Sequence, residues 1–209
     1  MKITWIGHSC FKIEENGFTV VFDPYEDDTV PGLNPVRETA NLVLCTHEHS
    51  DHNYRAGVVI EKSGENPFVI REMETYHDDV QGAKRGTNRI YVLDDGKTKI
   101  AHLGDLGCEL TSEQKEQLKD LDILFVPVGG FYTINGTQAA ALVKELKPHL
   151  TIPMHFRNDE KGFGYQEISM LGEFLMNTDC KTTFENDSIE LSTGTEQEII
   201  VMMPANTKI

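Results

Sequence analysis

The sequence predicts a single α/β domain over residues 1–209, on three observations. Strand-like segments open the chain, strands alternate with helix-like segments later, and no linker or low-complexity tract divides it. At 209 residues the chain is long enough for a substantial core. Its 39% hydrophobic and 25% charged residues are ordinary for a globular protein.

Taken in order, Lys2 to Ile6 read as a strand, Gly7-His8-Ser9 as a turn and Cys10 to Glu14 as a second strand. Asn16-Gly17 signals a hairpin leading into a third strand, Phe18 to Phe22, which ends at Asp23-Pro24. Tyr25 to Ala40, with Pro31, Gly32 and Pro35, reads as a long loop, either a lid or a plain connection. Leu42 to Cys45 is a short apolar run of the buried-strand kind, and Asn53 to Ile60 is placed to start a helix. Pro67 to Ile70, Arg89 to Leu93 and Lys99 to Leu103 read as strands, the last two joined at Asp94-Asp95-Gly96. A helix is predicted over Ser112 to Lys119, N-capped by Thr111 or Ser112. An apolar strand, Ile123 to Val128, ends at Gly129-Gly130. A second helix, Thr137 to Lys147, is stopped by Pro148. Leu150 to Pro153 reads as a strand, Glu167 to Met176 as a last helix, and Ser188 to Met203 as a β-like tail turning at Gly194.

The chemistry concentrates in Thr46-His47-Glu48-His49-Ser50-Asp51-His52, on the predicted strand-to-helix turn. Imidazole nitrogen and carboxylate oxygen ligate Zn, Mn, Fe or Ni. His47 and His49 can face one ion, and Asp51 and His52 another. His77, Asp105 and His155 also lie just past strands or in loops, where they can join the first four at one sheet edge. Asp105 sits in Gly104-Asp105-Leu106-Gly107, where small neighbours permit close approach, and its two oxygens suit it to bridge two ions. His77 and His155 would then complete one ion each. Plainer readings remain for these three: a surface histidine, a turn-forming aspartate and a buried histidine. His102 lies within a strand and favours a core or supporting role, His149 an exposed place at a helix end. His8 follows the first strand and is placed either to reach substrate or to serve structure.

Composition narrows the function classes. A net charge of −15 repels phosphodiester backbones and disfavours a nucleic-acid partner. Cys10, Cys45, Cys108 and Cys180 are scattered and form no CxxC pair, which fits free thiols in a reducing cytoplasm. The N-terminus does not read as a signal peptide, and no stretch approaches a membrane span. Neither GxSxG nor GxxxxGK[ST] occurs. Oligomeric state is not legible.

The pattern His47-x-His49-x-Asp51-His52, then His77, Asp105 and His155, resembles the metallo-β-lactamase fold superfamily of metal-dependent hydrolases. Within it the chain is most similar to the small branch that includes L-ascorbate-6-phosphate lactonase. Trp5 to Phe11, Asp23-Pro24, His77-Asp78-x-x-x-Gly82-x-x-Arg85-Gly86-x-Asn88, His102 to Asp105, Pro127 to Gly130 and Ile152 to His155 carry that similarity, which runs from Met1 to about His155. The resemblance implies a four-layer αββα sandwich with metals at one sheet edge. It assigns His47, His49 and His77 to one ion, Asp51, His52 and His155 to a second, and Asp105 between them. Antibiotic-hydrolysing members commonly place a cysteine where this chain has Asp105, so antibiotic hydrolysis is not expected.

The expected chemistry is hydrolysis by hydroxide drawn from a water shared by two divalent ions, Zn or Mn ahead of Fe or Ni. Such ions lie about 3.5–4 Å apart and bring the pKa of water towards about 7. Asp51 and Asp105 are the candidate catalytic carboxylates, Asp51 as a proton shuttle. His8, Arg85 and Asn88 are the candidate substrate contacts, Arg85 and Asn88 for a phosphate or carboxylate. The first expected substrate is a small lactone, ester or phosphorylated sugar acid. A phosphodiester such as a cyclic nucleotide or phospholipid is the alternative, and a non-catalytic metal-binding protein the last. A redox di-iron enzyme would need a flavin domain, and none is visible.

Overall fold

A computed structural model describes residues 1–191 and 197–208. Strands β1 (Lys2–Gly7), β2 (Cys10–Glu15) and β3 (Phe18–Phe22) form an antiparallel meander. Asn16 (φ 50°) and Gly17 (φ 77°) take the left-handed conformations that a tight hairpin needs, as the Asn-Gly pair predicts. Two short strands follow, β4 (Glu38–Ala40) and β5 (Leu42–Leu44), and β5 lies parallel to β3. After them come β6 (Val58–Ile60), β7 (Val69–Tyr76), β8 (Thr87–Asp94) and β9 (Lys99–His102). Then α1 (Ser112–Gln117), β10 (Ile123–Pro127), α2 (Gly136–Leu146), β11 (Leu150–Met154) and α3 (Gly172–Met176) alternate. The last strands are β12 (Lys181–Phe184), β13 (Ser188–Glu190) and β14 (Glu198–Val201).

These strands make the expected two-sheet α/β sandwich. One sheet has the order β13-β1-β2-β3-β5, the other β12-β14-β11-β10-β9-β8-β7, and β4 and β6 pair separately. The sheets meet face to face through aromatic rings. Phe11 of β2 lies 4.3 Å from Phe125 of β10, and Phe22 of β3 stacks on His102 of β9 at 4.7 Å. Burying one such phenylalanine stabilises by about 1.5–3 kcal/mol. α2 buries Ala139, Leu142, Val143 and Leu146 and packs on β10, α3 packs on α2, and Lys115 of α1 pairs with Glu145 of α2. Thr111 with Gln114, and Asn135 with Gln138, form reciprocal caps that start α1 and α2. The left-handed Lys147, followed by Pro148, ends α2.

Several boundaries differ from the sequence expectation. The segment after Asn53 makes a 3₁₀ turn, Arg55–Gly57, and then β6, because the β-branched run Val58-Val59-Ile60 favours extended backbone. β7 continues through the polar stretch to Tyr76, paired with β8 at every residue; only Met73 and Thr75 of it are buried, with Ile70 half-buried against the core. The final helix is shorter than predicted. Ser169 N–H donates to Gly129 and Arg157 N–H to Ser169, which commits that stretch to the loops after β10 and β11. The 25–40 segment is stitched in place by Tyr25, Val30, Leu33 and Val36, all buried, and by backbone bonds from Asn34 to Asn206 and from Lys208 to Gly32. The turn expected at Gly194 lies outside the described residues. All four cysteines are free thiols.

Candidate metal centre

β1, β3 and β5 run in one direction in their sheet, and β7, β9, β10 and β11 in one direction in theirs. The residues just past their C-terminal ends converge at one end of the sandwich. His8, Asp23, His155 and Gly104 all take left-handed backbone there, at φ 56°, 42°, 53° and 54°. Such turns cost non-glycine residues energy and persist where the surroundings hold them.

Three overlapping groups of donors result: His47, His49 and His77; His8, Asp51, His52 and His155; and His47, His52 and Asp105. Asp105 lies between the others. Its Oδ2 is 3.1 Å from His155 Nε2, 3.2 Å from His52 Nε2, 3.4 Å from His77 Nε2 and 4.0 Å from His47 Nε2. Two ligands about 2.0–2.2 Å from one ion at a tetrahedral angle stand roughly 3.3–3.6 Å apart, so these separations suit ligands of a shared cation. All seven sequence-predicted ligands are thus brought together.

His47, His52 and His77 face inward because outer partners hold their other ring nitrogens. His52 Nδ1 lies 2.8 Å from Asp23 Oδ2, and His77 Nδ1 lies 3.0 Å from the Tyr132 carbonyl. Thr46 Oγ1 donates to Asp23 and sits 3.0 Å from His47 Nδ1. With Nδ1 protonated in each ring, the Nε2 lone pair points into the cage. His47 Nε2, His52 Nε2, His155 Nδ1 and Asp105 Oδ1 are buried without a hydrogen-bond partner. Unsatisfied buried polar atoms are costly, and their clustering around two carboxylates fits divalent cations of the Zn, Mn, Fe or Ni kind.

Protonation agrees with this fit. Burial pushes His47 down to about 3 and lowers His77. His8 is pushed down to about 4 by burial and by neighbouring His155. Burial works against ionising Asp105, but His155 and His52 overcome it and hold the carboxylate well below the usual range. His52 and His8 do the same for Asp51. Neutral imidazoles and ionised carboxylates are the states that bind metal. His52 differs: burial lowers it, yet Asp105, Asp51 and Asp23 together hold a proton there that a dication would displace.

Above the cage lies an open cleft of about 470 Å³, bordered by Glu48, His49, Asp51, Arg85, Tyr132 and Tyr165 among others. Of the three expected substrate contacts only Arg85 reaches it. His8 is buried within the cage, 3.4 Å from Asp51 Oδ2, with its ring 4.1 Å from that of His155. Asn88 is fully buried. Its amide donates to Thr75 Oγ1 and the Leu103 carbonyl, and its Oδ1 accepts the Asp105 N–H at 2.9 Å. It braces Asp105 from below, with no polar atom left for substrate. Sequence reasoning assigned no role to Asp23, Thr46, Tyr132 or Tyr165. The Tyr165 hydroxyl donates to Asp51 Oδ2 at 3.3 Å, and burial beside that carboxylate raises its phenol. Asp23-Pro24 ends an apolar strand and was a visible signal; Tyr132 and Tyr165 arrive from loops that carry none.

The sequence profile of the Beta-lactamase superfamily domain matches residues 2–155. A UPF0173 metal-dependent hydrolase of Thermoplasma acidophilum is 31% identical over 188 residues, covering 75% of this chain and 83% of its own. A UPF0173 protein of Pyrococcus furiosus is 28% identical over 181 residues, with coverages of 75% and 83%. Among solved structures, a candidate Zn-dependent hydrolase of the metallo-beta-lactamase superfamily from Thermotoga maritima superposes with a TM-score of 0.77. It is 32% identical, covering 96% of this chain and 97% of its own.

Proposed function

The chain belongs to the beta-lactamase superfamily, among its UPF0173 metal-dependent hydrolases, and we propose that it hydrolyses a small lactone or ester at a centre that would hold two divalent cations. The observation that carries this reading is the place of Asp105: one carboxylate oxygen lies 3.1–3.4 Å from Nε2 of His52, His77 and His155, between the two donor groups. His47, His49 and His77 would hold one ion, and Asp51, His52 and His155 the other, with His8 beside the second. Zn or Mn suits this all-nitrogen-and-oxygen set, and Fe and Ni are compatible with it. When bound, such a pair supplies Lewis acidity and a water acidic enough to act as a nucleophile near neutral pH.

The chain's own residues do the rest. Asp51 lies at the cleft floor with its carboxylate ionised and Tyr165 donating to it, placed to pass a proton between the attacking water and the leaving group. Asp105 and Asn88 fix the cage floor. A cleft of about 470 Å³ suits a small molecule, and the net charge of −15 disfavours nucleic acid. A lactone of a phosphorylated sugar acid heads the candidate substrates. Four free thiols support a reducing, cytoplasmic setting. Among the described residues no helix is long and apolar enough to cross a membrane.

The test is a panel of a lactone, a thioester and bis-p-nitrophenyl phosphate, each assayed with Zn and with Mn. Turnover of the lactone ahead of the diester supports the reading. Diester cleavage alone would reassign the chain to the phosphodiesterases. A metal-loaded protein inert on all three would remove catalysis from it.

A further inference from the structure

We propose that Arg85 is an anion clamp, so that the substrate carries a carboxylate or phosphate set apart from the bond that is cleaved. This deepens, and rests on, the hydrolytic reading above. Directly after His77, the buried Asp78 carboxylate gathers four backbone N–H groups. Oδ1 accepts from Val80 (2.9 Å) and Gly82 (2.8 Å), and Oδ2 from Lys84 (2.9 Å) and Arg85 (2.7 Å). Gly86 N–H closes back on the Gly82 carbonyl, and His77 N–H donates to Gly86. Gly82 (φ 80°) has no room for a side chain, since a Cβ would stand 2.9 Å from the Gly86 oxygen. The loop is therefore a knot tied between a candidate metal ligand and β8, and Arg85 projects from it.

Where that side chain goes is set by the opposite loop. The Arg85 guanidinium carbon lies 5.4 Å from the Tyr132 ring centre and 5.9 Å from that of Phe131. Tyr132 is itself anchored, because its carbonyl meets His77 Nδ1. Phe131 is 62% exposed at the rim and meets Tyr132 edge-on at 4.7 Å. Arg85 borders the same cleft as Asp51, Asp105, Tyr132 and Tyr165. Among the described residues it has no carboxylate within 4.0 Å, although the chain holds 34 acidic residues against 19 basic ones. A guanidinium held beside rings, with its N–H fork unspent, matches the planar two-point recognition of carboxylate or phosphate. At a net charge of −15, a cation outside the cage gives an anion a second point of attachment.

The test is calorimetric titration of the metal-loaded protein with dicarboxylates from malonate to adipate, each against its monocarboxylate, plus 3-phosphonopropionate. One carboxylate occupies the cage in every case, so only the second anion reports on Arg85. The clamp gives at least one diacid a roughly 10- to 100-fold advantage, which Arg85→Gln abolishes without altering monocarboxylate affinity or metal content. Arg85→Lys recovers part of it. Asp78→Asn, a change at a positioning residue, loses the advantage while metal content and monocarboxylate affinity stay. The larger Arg85-dependent advantage, phosphonate-like or carboxylate, identifies the anion. No diacid advantage in the unaltered protein, or an advantage that survives Arg85→Gln, overturns the proposal. Turnover is read separately on nitrophenyl butyrate and nitrophenyl hemisuccinate. A metal-loaded protein that hydrolyses neither ester yet still prefers the diacid would end the hydrolytic reading and leave the clamp.

Discussion

His52 Nδ1 lies 2.8 Å from Asp23 Oδ2, and both side chains are completely buried. Asp23 also accepts from the Thr46 backbone N–H and hydroxyl, each at 2.7 Å. One carboxylate outside the cage thus fixes the ring of one candidate ligand and the residue that leads into the others. His52 faces its neighbours through Nε2 because Asp23 holds the opposite nitrogen.

Asp23→Asn should therefore weaken metal binding about 10- to 100-fold while the ligands remain chemically intact. Competitive titration against a chromogenic chelator reads this directly. Unchanged affinity would mean that the ring is oriented by packing alone.

Gly104→Ala should damage the centre without touching a ligand. At φ 54° the added Cβ would stand 2.4 Å from Asn88 Oδ1 and 2.6 Å from Thr46 Cβ. Relief requires moving the strand end that carries Asp105. The expected loss is roughly 1–3 kcal/mol in urea unfolding, with reduced metal content. A variant of normal stability and full metal loading would show that this turn tolerates a side chain.

Asn88→Leu removes the acceptor for the Asp105 N–H and the donor to Thr75 and Leu103. Leaving those buried groups unpaired should cost about 1–3 kcal/mol in urea unfolding. Because Asn88 does not border the cleft, preference among anionic ligands should not change. A selective loss of that preference would return Asn88 to the substrate contacts.

Asp78 gives a pH dependence. Burial raises its pKa, but four backbone N–H groups overcome this and hold it at about 2, against about 3.9 in the unfolded chain. A depressed folded value stabilises the protein above the unfolded pKa, and that contribution fades as pH falls through about 2. The stability difference between the unaltered chain and Asp78→Asn should therefore be constant from pH 6 to about 4 and shrink below it. Urea midpoints across that range check this. A gap that persists to pH 2 would place the effect elsewhere.

Local chemistry with local consequences was legible in the sequence. The Asn16-Gly17 hairpin, the Thr111 cap of α1 and the close approach at Gly104 follow from backbone sterics and nearby hydrogen bonds. The ligand candidates were legible as residue types at metal-ligand spacing, and Asp105 and His155 also because they follow recognisable strands; the strand that leads to His77 was not. What stayed hidden depends on pairing across the chain. β7 is polar in composition and becomes a strand by lying along β8. Asn88 looked free for substrate because nothing local shows that Thr75, Leu103 and Asp105 surround it. Tyr132 and Tyr165 reach the cleft from loops without periodicity, and their place is set by the sheets beneath.

The most direct test is the metal-to-protein ratio after chelation and reconstitution, measured on the unaltered chain and on Asp105→Ala with lactone turnover followed in parallel. Two ions per chain with turnover, both lost together in Asp105→Ala, is the expected result. Undiminished turnover by an Asp105→Ala protein that holds no metal would contradict a hydrolase built on caged cations.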